Sequence, residues 1–214
     1  MVDRGRGTTP PSLAVTGPTG AGKTRFCARL AGHGATVIEA DAIGHELLDR
    51  PDVRAAVVAE FGRDILAADG RIDRRVLGPR VFASPERRAS LDALVHPALA
   101  AACTEALRAA AVAGSPLVIL EAAVYFLLPG PPPVDLTVTV TAAPEVRARR
   151  LMDKGLDRDE AEARIAAQAH LEPGWSRADR VVVNDGDRDV LRREADALWR
   201  ETTRTGPTPR KDEA

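Results

Sequence analysis

The stretch Leu13-Ala14-Val15-Thr16-Gly17-Pro18-Thr19-Gly20-Ala21-Gly22-Lys23-Thr24 decides how the rest of the chain is read. Leu13 to Thr16 is a short apolar run of the kind that forms a buried strand. The next eight residues fit G-x-x-x-x-G-K-[ST], and a helix is expected from about Thr24 to His33, with Phe26, Cys27 and Leu30 as its buried face and Gly34 as its stop. Strand, loop and helix in that order make a phosphate cradle rather than a glycine-rich turn with an exposed lysine. Glycine lets backbone N–H groups converge on a phosphate where a side chain would clash, and the helix N-terminus adds partial positive charge. Lys23 is expected to reach the β- and γ-phosphates of a bound nucleoside triphosphate, and the Thr24 hydroxyl to ligate Mg²⁺. The nucleotide-binding set is therefore Gly17, Gly20, Ala21, Gly22, Lys23 and Thr24.

Outward from that loop, strands alternate with helices. Val37-Ile38, Leu117 to Leu120, Val134 to Val140 and Val181 to Val183 read as four further strands. Residues 42–112 read as mostly helical, with breaks at Pro51, Asp69-Gly70 and Pro97. Helices are expected near 144–153 and 157–170, joined around Lys154-Gly155, and at 187–201. Residues 1–12 and 202–214 read as disordered tails. This pattern predicts a three-layer α/β/α P-loop NTPase with a parallel sheet of about five strands, a helical insertion and a helical lid. Ligands in such sheets bind beyond the C-terminal ends of the strands, where every candidate residue falls.

Asp41 follows the second strand on the side of the loop. A carboxylate there suits a base for an attacking hydroxyl, a Mg²⁺ ligand through water, or an N-cap for residues 42–49. Glu39, two residues earlier, is a metal or supporting candidate. Glu121 ends an apolar strand in the loose pattern of a Walker B acid, a metal candidate that also reads as a polar strand end. Among Arg147, Arg149, Arg150, Arg158 and Arg164, a lid would supply one or two charges to the phosphates; Arg150 and Arg158 are the preferred catalytic candidates. His96, before the helix-breaking Pro97, is a candidate for contact with the second substrate.

Bulk properties narrow the class. Of 214 residues, 44% are hydrophobic and 29% charged, which suits one soluble domain. A net charge of −1 gives no electrostatic case for nucleic acid or membrane partners. Two cysteines without metal-ligand spacing, no signal-like apolar segment and no run of eighteen apolar residues predict a cytoplasmic setting. Lysine occurs only at Lys23, Lys154 and Lys211, so its presence in the glycine-rich loop carries weight. No N-K-x-D guanine motif is present, which argues against a GTPase.

The order of further blocks resembles the dephospho-CoA kinase family. After the loop come Val37-Ile38-Glu39-Ala40-Asp41-Ala42-Ile43, Asp69-Gly70-Arg71-Ile72-Asp73-Arg74 with Val81-Phe82, and His96-Pro97. Then come Arg150-Leu151-Met152, Glu160 to Gln168, and Ala178-Asp179-Arg180-Val181-Val182-Val183-Asn184. The resemblance spans about Leu13 to Trp199. It implies transfer of the γ-phosphoryl of ATP to the ribose 3′-hydroxyl of dephospho-CoA, giving coenzyme A, with Mg²⁺. By the same resemblance Asp41 is the base, Gly20 to Arg25 the ATP loop, 42–112 the acceptor-binding region and 144–170 the lid, with Asn184 and Gly186 near adenine. Departures cluster on the acceptor side. Glu39 stands where the family has Asp, and Ala98-Leu99-Ala100 follows His-Pro without the usual arginine. Ala123 to Leu127 replaces a P-L-L-x-E segment, and the lid loop at Asp153-Lys154-Gly155 is a residue shorter, losing an arginine. Another P-loop small-molecule kinase and a non-catalytic nucleotide-binding module are the rival readings.

Overall fold

A computed structural model of the chain describes residues 9–205 except 83 and 187; residues 1–8 and 206–214 of the expected tails lie outside it. Five parallel strands form one sheet in the order β2-β3-β1-β4-β5. They are β1 (Ser12–Thr16), β2 (Thr36–Glu39), β3 (Val118–Glu121), β4 (Leu136–Thr141) and β5 (Arg180–Val183). The helices are α1 (Lys23–Ala31), α2 (Ala40–Leu47), α3 (Pro51–Phe61), α4 (Arg74–Phe82), α5 (Pro85–Val112), α6 (Pro144–Met152), α7 (Arg158–Ala166), α8 (Glu172–Trp175) and α9 (Arg188–Thr205). Both expected tails begin too far inward. Ser12 pairs with Val118 as part of β1, and residues 202–205 continue α9, where the Thr202 and Thr203 hydroxyls bond carbonyls of the preceding turn.

Alternation along each strand sorts side chains between two layers. Leu13, Val15, Ile119, Val138, Val140 and Val182 meet Phe26, Cys27 and Leu30 of α1 and Leu191, Ala195 and Leu198 of α9. Ala14, Val118 and Leu120 point the other way, onto Leu47 of α2 and Leu99, Cys103 and Leu107 of α5. A separate small core lies off the sheet, where Val53, Val57, Phe61, Ile65, Ile72, Leu77 and Val81 gather against Val95 of α5. That second core gathers α3, α4 and the first part of α5, while α2 and the rest of α5 pack on the sheet.

The expected break at Pro97 is not present. α5 runs unbroken for 28 residues with Pro97 in its interior. An interior proline costs a helix about 3 kcal/mol. Val95, Leu99, Cys103 and Leu107 bury one stripe of α5, and burying a large apolar side chain contributes about 1.5–3 kcal/mol. Tertiary burial therefore outweighs the local penalty. The helix expected over 157–170 is also shorter: α7 stops at Ala166, and a 3-10 turn at Ala169–Leu171 and the short α8 follow. No helix among the described residues is long and apolar enough to cross a membrane.

Candidate active site

The loop between β1 and α1 lies where β1 has β3 on one side and β4 on the other. The chain's connections diverge there, so a crevice opens beyond the strand ends. Its glycines are required by close neighbours. At Gly17, with φ +129°, a Cβ would stand 2.1 Å from the Val140 carbonyl oxygen. At Gly22, with φ +107°, a Cβ would stand 2.6 Å from the Asn184 amide nitrogen. Both positions combine a left-handed backbone with no space for a side chain.

Lys23 opens α1 and curls back over the loop, where Nζ donates to the carbonyls of Gly17 at 2.8 Å and Pro18 at 3.1 Å. Burial lowers its pKa, and the charges of Glu121 and Asp41 oppose that shift. Lys23, Asp41 and Glu121 thus sit within one electrostatic neighbourhood. The Thr24 hydroxyl donates to Glu121 Oε1 at 2.9 Å. Glu39 is the register partner of Glu121 in the adjacent strand, so both carboxylates leave the same face of the sheet. Cys27, one turn along α1, is fully buried on this side; burial first, then Glu121, pushes its thiol pKa well up.

Asp41 does not cap its helix. α2 begins at Ala40 with Glu39 in the N-cap position, and Asp41 lies exposed in the first turn. A carboxylate in a first turn is favoured by the helix dipole and remains free to act outward. Glu39 makes no side-chain capping hydrogen bond.

The two preferred arginines have different surroundings in this arrangement. Arg150 Nη1 donates to the carbonyls of Gly20 and Ala21, each at 3.3 Å, and Nη2 to Asn184 O at 2.9 Å and Asn184 Oδ1 at 3.3 Å. Asn184 Nδ2 in turn donates to Ala21 O at 2.7 Å, with Asn184 itself buried. Together they brace the outer side of the phosphate loop against the end of β5. Arg158 is exposed on α7, and Glu162 of the same helix, at 3.5 Å, is its ion-pair partner. Arg25 and Gly186 are both exposed near the loop ends of α1 and β5.

His96 lies within continuous α5 and not at a break. It is 8% exposed, with Nε2 3.4 Å from Asp92 Oδ1. It lines a cavity of about 540 Å³ with Arg88, Asp92, Leu127, Pro129 and His170. Arg88 Nη1 donates to Ala167 O at 3.3 Å, tying this cavity to the end of α7.

Gln168 and Lys154 carry no role in the sequence reading, and Arg147 is there only one of five arginines weighed for a lid. Gln168 Oε1 accepts from the Thr19 backbone N–H at 2.7 Å. Lys154, in the turn between α6 and α7, is near enough for its charge to lower the pKa of Lys23. Arg147 carries its backbone against Gly20 and has a buried Nε without a hydrogen-bond partner among the described residues. Gln168 and Lys154 stand in segments that the sequence singles out, but nothing in their spacing shows which way they point.

Comparison with known proteins bears on this geometry as a whole. The family model for dephospho-CoA kinase matches residues 12–189. A curated dephospho-CoA kinase of Symbiobacterium thermophilum is 39% identical over 190 residues, covering 88% of this chain and 80% of that protein. One of Streptomyces avermitilis is 40% identical over 191 residues, covering 87% and 91%. The crystal structure of TT1252 from Thermus thermophilus superposes with a TM-score of 0.70 at 33% identity, covering 90% of this chain and 97% of that one.

Proposed function

The chain belongs to the dephospho-CoA kinase family, and on that premise we propose that it transfers the γ-phosphoryl group of ATP to the ribose 3′-hydroxyl of dephospho-CoA, giving coenzyme A and ADP. The observation that carries this reading is the extent of the family likeness. It runs through the helical body and the lid as well as the phosphate loop, from residue 12 to residue 189. A loop-only likeness would support nucleotide binding alone.

In this reading the backbone amides of Gly20 to Thr24 and the Lys23 ammonium hold and neutralise the β- and γ-phosphates. Asp41 accepts the proton of the attacking 3′-hydroxyl as the new O–P bond forms, and the bond from the γ-phosphorus to the bridging oxygen breaks to release ADP. The body 42–112 receives the acceptor, with the cavity beside His96 at its edge, and residues 144–170 close as the lid, delivering Arg158 or Lys154 toward the phosphates and excluding water. Arg150 and Asn184 keep the loop rigid against the adenine end, near Gly186.

Thr24 and Glu121 present only oxygen donors, 2.9 Å apart, which suits Mg²⁺. No group of three His, Cys, Asp or Glu side chains placed to hold a metal ion is found among the described residues; in this reading substrate phosphates and water complete the ion's shell. Thr24 and Glu121 would hold it, with Glu39 behind them, and Mg²⁺ when bound would neutralise phosphate charge. Glu121→Gln is expected to raise the Mg²⁺ concentration for half-maximal activity by about tenfold and leave the thermal midpoint almost unchanged. A magnesium titration checks this; an unaltered requirement removes Glu121 from the metal site.

The function is tested by ADP release with dephospho-CoA as acceptor, against a panel of nucleosides and simple sugars. Strong stimulation by dephospho-CoA alone supports the proposal. Stimulation by another acceptor supports a different kinase, and no acceptor-dependent release supports a binding module.

A further inference from the structure

The phosphate loop is fastened to its surroundings at three places. Its beginning is fixed where Gly17 presses against the Val140 carbonyl. Its end is fixed where Arg150 and Asn184 hold the Gly20 and Ala21 carbonyls. The peptide between Pro18 and Thr19 lies midway. Its carbonyl accepts from Lys23 Nζ at 3.1 Å and from the Ala21 N–H at 3.3 Å. Its N–H donates to Gln168 Oε1 at 2.7 Å.

These three partners differ in kind. The Lys23 ammonium and the loop amides are the groups that a bound polyphosphate recruits. Once they turn to phosphate, their hold on the Pro18 carbonyl is weakened. Gln168 is neutral, comes from outside the loop, and bonds to the far side of the same peptide. It follows α7, and its neighbour Ala167 is held from α5 by Arg88. Gln168 is therefore anchored independently of the loop that it touches.

Resting on the kinase reading above, we propose that Gln168 is a positioning residue. It fixes the orientation of the Pro18–Thr19 peptide so that the loop amides stay aimed at the nucleotide when Lys23 leaves the Pro18 carbonyl. Gln168 acts through the Thr19 amide. Because Ala167 and Gln168 directly follow α7, the same bond ties the end of that helix to the loop.

The test uses the full chain and compares Gln168→Met, which keeps size but loses the acceptor oxygen, with Gln168→Glu, which retains it. Hydrogen exchange at the Thr19 amide without nucleotide should be slow in the parent and in Gln168→Glu, and at least tenfold faster in Gln168→Met. The KM for ATP should rise about tenfold in Gln168→Met, while the KM for dephospho-CoA stays within twofold. ATP affinity by direct titration should fall in step. Unchanged Thr19 exchange in Gln168→Met, an ATP affinity within twofold of the parent, or equal increases in both KM values would overturn the proposal. Should Gln168→Met fail to fold, Gln168→Ala serves with the same readouts. If the parent binds ATP but does not phosphorylate dephospho-CoA, the kinase reading fails; exchange and ATP titration still decide the role of Gln168.

Discussion

Lys23→Ala is expected to lower kcat/KM for ATP by about a thousandfold or more, which corresponds to about 4 kcal/mol of transition-state stabilisation. The size of the effect follows from where the charge sits. Lys23 is the first residue of α1 and shares its neighbourhood with the carboxylates of Asp41 and Glu121. Without the ammonium, these acids and the triphosphate face one another with their repulsion unrelieved. The fold should survive, because the loop keeps its contacts through Val140, Arg150, Asn184 and Gln168. The removed hydrogen bonds to Gly17 and Pro18 contribute roughly 1 kcal/mol each. Steady-state kinetics beside a thermal melt separates the two effects. A rate within tenfold of the parent, in a folded protein, removes the phosphate loop from catalysis.

Asp41→Asn is expected to lower kcat by about a hundredfold or more while ATP affinity stays within about twofold, since general-base assistance contributes typically 10²- to 10⁴-fold. The substitution is nearly isosteric. Asp41 is exposed in the first turn of α2 and is not its N-cap, so the helix loses only a favourable dipole interaction of about 0.3–1 kcal/mol. A selective loss of kcat assigns Asp41 to the acceptor hydroxyl. Equal losses in kcat and ATP affinity assign it to the metal and nucleotide instead.

The donor side was legible in the sequence because its requirements are local. A strand, a glycine pattern, a lysine and a helix follow one another without a gap, and the structure keeps that order from Ser12 to Ala31. The parallel sheet was legible for a similar reason: each strand is a compact apolar run, and the register of Glu39 with Glu121 places the two acids side by side at the strand ends. What was not legible depended on tertiary contacts. Pro97 carries a strong local signal for a helix break, yet α5 continues through it, supported by burial against the sheet and the small core. Arg150 reads from sequence as a charge for the phosphates, but its guanidinium reaches carbonyls from Gly20, Ala21 and Asn184, residues as many as 130 positions away in the chain. Gln168 meets Thr19 across 149 positions, a contact no local pattern encodes.

The segments expected to face the acceptor are where this chain departs from the pattern it resembles, with Ala98, Leu99 and Ala100 after His96-Pro97 and Ala123 to Leu127 after β3. Those segments build the α5 face and the turn that carries Leu127 to the cavity beside His96. Acceptor identity therefore decides the function, and the position of the transferred phosphate reveals it. The chain, incubated with ATP, Mg²⁺ and dephospho-CoA, should yield ADP and one new phosphomonoester in equal amounts. Phosphorus NMR and mass spectrometry of the product should place that group on the ribose 3′-oxygen, identical to authentic coenzyme A. ATP consumption without a new phosphomonoester on dephospho-CoA, or a phosphate at any other position, contradicts the account.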